Sequence, residues 1–92
     1  MDLAALIRHF FGTDDPATLT EAEFARGLEQ LRIGFGVERE PGRKFALWSL
    51  LHAFDAAPLP AEAFAKEPQL KAAAEEYLRA AFRLERFGDP DA

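Results

Sequence analysis

Six consecutive residues, Leu19-Thr20-Glu21-Ala22-Glu23-Phe24, leave the chain little choice of local structure. The Thr20 hydroxyl can accept from the Glu23 backbone N–H while the Glu23 carboxylate accepts from the Thr20 N–H, the reciprocal pairing of a capping box. Leu19 and Phe24 hold the flanking positions at which apolar side chains staple a helix entry. A helix therefore starts here. Its apolar stripe continues through Phe24, Leu28 and Leu31 to an expected stop near Gly34.

The other segments repeat the helical period. Leu3, Leu6, Ile7, Phe10 and Phe11 predict a first helix that ends at Gly12, followed by a loop with an Asp-Asp-Pro turn. A connector is expected over Phe35–Arg43. A third helix over Lys44–Phe54 is apolar on most of its circumference and belongs in the middle of the fold. Pro60 suits the first turn of the next helix, and Pro68 interrupts again, so Ala61–Lys66 is either a short helix of its own or kinked against the last one. That last helix is expected to turn Leu70, Ala73, Ala74, Tyr77, Leu78, Ala81 and Phe82 inward and to end at Gly88. No stretch alternates polar with apolar. The expected fold is all-α, a small bundle of four to five helices arranged as two helix–loop–helix units. Residues 1–88 are expected to form one domain and residues 89–92 a frayed tail.

Composition narrows the function. The chain has 92 residues and no cysteine, which removes disulfides and thiolate metal sites and leaves apolar burial to hold the fold. Nine Phe, Trp48 and Tyr77 supply that burial, with some apolar surface to spare for a partner. Sixteen acidic against eleven basic residues give a net charge of -5, the wrong sign for gripping a phosphate backbone. The uncharged stretch Ala46–Phe54 is far shorter than the roughly 20 residues that span a bilayer. Met1-Asp2-Leu3 lacks the positive charge that opens a secretory leader. The expectation is a cytoplasmic protein that binds neither nucleic acid nor membrane.

Two stretches share a layout. An apolar helix ending in Phe10-Phe11 leads through a loop to Leu19-Thr20-Glu21-Ala22-Glu23-Phe24. Leu47-Trp48-Ser49-Leu50-Leu51-His52-Ala53-Phe54-Asp55 leads to Leu59-Pro60-Ala61-Glu62-Ala63-Phe64. The layout resembles a pair of EF-hands over roughly Leu3–Ala74, which implies calcium loops between the helices. Calcium requires about six to eight oxygens from a loop of about 12 residues with a central glycine and a closing Glu. With Glu23 as the closing residue, Gly12 stands at the leading ligand position, Pro16 at the third and Ala17 at the glycine. Asp14, Thr18 (through its carbonyl), Thr20 and Glu23 remain as weak metal candidates. The second loop keeps Asp55, is three residues short before Leu59, and has Ala63 at the closing position. The resemblance therefore implies weak or no calcium binding, and no cofactor is expected.

Catalytic groups are sparse. His9 and His52 lie on different helices, and His52 is one turn from Trp48, the position of a partner in an aromatic cluster. Ser49 and Tyr77 have no base or orienting group placed around them by sequence. The adjacent carboxylates at Asp14-Asp15 and Glu75-Glu76 suit a solvated face better than acid–base work, since neighbours on a helix such as Glu75-Glu76 point apart, and Gly34 and Gly36 lack the frame of a phosphate loop. Arg79, Arg83 and Arg86 form a basic stripe that suits docking to an acidic partner or to nucleic acid, or a solvated face near a helix C-terminus. Interruption by Glu75, Glu76 and Glu85 favours the solvated face. The expected function is a non-catalytic protein-interaction or regulatory module, with a structural homodimer or a degenerate EF-hand-like domain as alternatives. The surface expected to meet a protein partner lies around Phe35, Val37, Trp48 and Phe87.

Overall fold

The helix that begins at the capping box is the longest in the first half of the chain. In the computed structural model, which describes residues 3–87 and their side chains as far as residue 84, it runs Glu21–Val37 (α2). Both halves of the box are made: Thr20 Oγ1 accepts from Glu23 N at 3.1 Å, and Glu23 Oε1 accepts from Thr20 N at 2.9 Å. Before it come α1, Leu3–Phe11, and a 3-10 turn at Pro16–Thr18. After it come α3 (Pro41–Ala53), α4 (Pro60–Ala63) and α5 (Pro68–Phe87). No strand occurs among the described residues, and the all-α expectation holds. Gly88 and residues 89–92 lie outside the described residues.

Three boundaries differ from the sequence reading. The second helix passes Gly34 instead of stopping there. That glycine serves close packing: a Cβ on it would stand 2.9 Å from Phe10 Cζ. Gly27, two turns earlier, has the same role more severely, since its Cβ would lie inside the Phe11 ring's contact distance. The third helix starts at Pro41, not Lys44. Proline suits a first helical position, and Glu40 caps it by accepting from Gly42 N at 3.1 Å and Arg43 N at 2.6 Å. The connector thus shrinks to residues 38–40, where the Glu38 carboxylate accepts from Arg39 N and Glu40 N and meets Arg43 Nε at 2.6 Å. Those partners, the Glu40 N–H foremost, hold the Glu38 carboxyl below its ordinary value. Pro68 opens α5 at its first turn, and α4 ends at Ala63 with Phe64–Lys66 in a turn.

The chain divides into two compact units, residues 1–57 and 58–92. In chain order the helices still read helix–loop–helix twice, but the first unit takes three of them. There α1, α2 and α3 pack on one another around Leu6, Phe11, Leu31, Leu47, Leu50 and Leu51, all buried. Phe11, Phe24 and Phe54 form a triangle with every ring centroid 5.3 Å from the next, one pair stacked and two edge-on. Such pairs add about 1 kcal/mol each beyond the area they bury. Trp48 is buried outside that cluster, its ring 5.7 Å from Phe45 and 5.8 Å from His52.

In the second unit α4 packs on α5, with Pro60, Phe64 and Ala74 buried. A four-residue helix covers only a fraction of a twenty-residue one. Of the side chains expected inward on α5, Ala73, Tyr77 and Phe82 are instead exposed. On its surface Lys71 pairs with Glu75 at 3.9 Å, and Arg79 with Glu76 at 2.8 Å.

Candidate interaction surface

The middle of α1, the entry to α2 and the end of α3 meet the 3-10 turn at one place. Ile7 comes from α1, Asp15, Pro16 and Ala17 from the turn, Leu19 to Glu21 and Phe24 from the entry to α2, and Leu50, Ala53 and Phe54 from the end of α3. Between them lies a groove of about 690 Å³, open to solvent, with a mainly apolar floor. This falls within the range of ligand grooves, some hundreds of Å³ with few polar groups.

Its walls are held by local bonds. The turn is stitched by Thr13 Oγ1 accepting from Asp15 N (3.2 Å), Asp15 Oδ1 accepting from Ala17 N (3.2 Å), and the Thr18 hydroxyl donating to the Asp15 carbonyl (2.8 Å). The end of α3 is fixed by Asp55, at φ 57. Its N–H donates to the His52 carbonyl at 3.0 Å, and the Ala56 N–H donates to the Leu51 carbonyl at 2.9 Å. This is a Schellman closure with Asp where glycine is usual.

The groove has a sign. Asp15 and Glu21 stand among its lining residues, and no Lys or Arg does. From residue 10 to residue 25 the chain carries Asp14, Asp15, Glu21 and Glu23 and no basic side chain.

The residues expected to form a partner surface are placed differently. Trp48 is fully buried and offers nothing to a partner as folded, because the apolar circumference of α3 is consumed by packing. Phe35 is half-buried against the first unit's core, with the Lys44 ammonium 5.7 Å over its ring. Val37 is 72 % exposed. The side chain of Phe87 lies outside the described residues. No shared surface of Phe35, Val37 and Trp48 results. The groove is not legible in the sequence, because Leu19, Phe24, Leu50 and Phe54 look the same whether they fill a core or floor a cleft. The basic-free run from residue 10 to 25 was the available signal.

Two of the four metal candidates, Thr20 and Glu23, are spent on the helix cap. The Thr20 hydroxyl and Glu23 carboxylate are directed at each other's backbone, and the Thr20 N–H, with its hydroxyl, keeps the Glu23 carboxyl below its ordinary value. Asp14 is exposed, and Thr18 lies in the 3-10 turn. Among the described residues no three His, Cys, Asp or Glu side chains are grouped to hold a metal ion. Ser49 Oγ donates to the Ala46 carbonyl at 2.8 Å, and His9 is exposed, edge-on to Phe10. Among the described residues no helix is long and apolar enough to cross a membrane.

A second apolar surface lies in the second unit. Leu78, Arg79, Phe82 and Arg83 border a shallow cleft of about 480 Å³ on α5. Compared with protein-family models, curated proteins and solved structures, the chain matches none of them.

Proposed function

We propose that this protein is a non-catalytic interaction module that receives the apolar side of a partner's helix in the first unit's groove. The observation that carries the reading is the groove itself: an open apolar floor of Ile7, Leu19, Phe24, Leu50 and Phe54 with carboxylates and no cation at its lip. Partner helices dock in such grooves by inserting side chains spaced one turn apart. An exposed sheet edge, the other common means of capturing a peptide, is missing among the described residues. The acidic lip selects a helix whose apolar side is flanked by Lys or Arg, since like charges across an interface are costly and opposite ones speed encounter.

Titration of the ¹⁵N-labelled protein with a synthetic amphipathic helix of Leu and Lys tests this. The amides of Leu19, Glu21, Phe24, Ala53 and Phe54 should shift together, and a Leu/Glu helix with the same apolar side should leave them nearly still. If the Leu/Lys helix moves none of these amides, the groove is not a docking surface.

A further inference from the structure

We propose that the groove's occupant is α5 of a second copy of this chain. This rests on the groove being an interaction surface and goes on to name what fills it. Residues 77–84, Tyr-Leu-Arg-Ala-Ala-Phe-Arg-Leu, carry Arg79 and Arg83 and no carboxylate. Leu78 and Phe82 are one turn apart, as are Arg79 and Arg83, and the four border one cleft. Phe82 is 54 % and Leu84 69 % exposed, so this stretch presents apolar surface to solvent with guanidiniums beside it. The groove is its inverse in charge and its counterpart in apolarity, with Asp15 and Glu21 beside an apolar floor.

The cations are available. Arg79 and Arg83 both lean on Glu76, at 2.8 and 3.6 Å, so a lone carboxylate faces two guanidiniums. All three side chains are about 60 % exposed, and ion pairs in such surroundings are worth little, so exchange for Asp15 and Glu21 of another molecule is cheap. Burying Leu78 and Phe82 on the floor supplies the drive. Where each molecule gives its α5 to the other's groove, the contact is made twice and closes on a two-fold axis.

Sedimentation and light scattering from micromolar to submillimolar concentration test the proposal. The mass should rise from the 10.2 kDa of one chain toward that of two. Arg83→Glu and Glu21→Arg should each weaken association about tenfold or more, and the two together should return it to within about threefold of the parent. Phe82→Ala alters an exposed side chain far from any cap and should also weaken association, which guards against a misfolded charge variant. A mass of 10.2 kDa at every concentration overturns the proposal, as does association that none of these changes weakens or that the paired reversal fails to restore. A monomer that still binds the Leu/Lys helix removes α5 as the occupant and leaves the groove reading intact. A monomer that ignores the helix removes both.

Discussion

The two helix-to-helix crossings, α1 to α2 and α3 to α4, start alike and end differently. Each incoming helix closes on a residue with positive φ, Gly12 at 75° and Asp55 at 57°. Each outgoing helix is entered through Leu, four residues and Phe: Leu19 to Phe24, and Leu59 to Phe64. Each has Glu at its third position, Glu23 and Glu62. Yet α2 runs for 17 residues and α4 for four. Two differences account for it. Thr20 caps α2 through its side chain, whereas Leu59 makes no side-chain cap and leaves its amides to find other partners. Pro68 then lies one turn beyond Phe64, disfavours helical backbone at Glu67 and cannot donate to a continuing helix. The apolar pair sets how a helix is entered. The cap and the next proline set how far it goes.

The widest gap between the crossings is expected at the two Phe residues. Phe64 is fully buried and Phe24 half-buried. Phe64→Ala should cost about 3–5 kcal/mol and Phe24→Ala roughly half that in urea unfolding followed by circular dichroism. Equal losses would mean that depth of burial is not what separates them. The caps come next. Thr20→Ala should cost about 1 kcal/mol, and Leu59→Thr should create a second capping box with Glu62 and gain up to about 1 kcal/mol. Amide exchange in α4 should slow in that variant and should not if the proline alone limits the helix.

The two positive-φ positions should respond in opposite directions. Gly12→Ala forces a Cβ into the left-handed region and should destabilise by about 1 kcal/mol, while Asp55→Gly should stabilise by somewhat less. Thermal melts of the two variants check both signs. The smallest effect is electrostatic. The Glu23 carboxyl titrates below its ordinary 4.5, chiefly because it accepts the Thr20 N–H. Its contribution is therefore present above that pH and is lost as pH falls through the lower folded value. Glu23→Gln keeps an acceptor at the cap without titrating, so the fall in stability below pH 4.5 should become shallower. An unchanged acid limb would place that titration elsewhere.

Local features were readable from the residues themselves. The Thr20–Glu23 box, the Gly12 stop and the all-helical class each depend on neighbours within one turn. Gly34 and Trp48 are instead decided by residues far along the chain. Gly34 looks like a helix stop, and only the Phe10 ring, brought from another helix, makes it a packing residue. Trp48 looks like a spare aromatic on an over-apolar helix, and its burial depends on which of that helix's sides is covered. Pro41 could have been placed at a first helical position from its chemistry, but Glu40 as its cap shows only once both carboxylate oxygens are seen on Gly42 N and Arg43 N. The groove is invisible in sequence because its floor uses the same residue types as the core and differs only in what stops short of covering it.

The connector of residues 38–40 has a consequence for how the first unit reaches its structure. It lets α2 and α3 meet after closing a very small loop, with the Glu38 and Glu40 carboxylates already bonded to the turn's own amides. The entropy lost in closing so short a loop is small, and contacts between chain neighbours form early. Early hydrogen-exchange protection in refolding should therefore appear in α2 and α3 before α1. The unit should refold at the fast end of the range for small helical proteins.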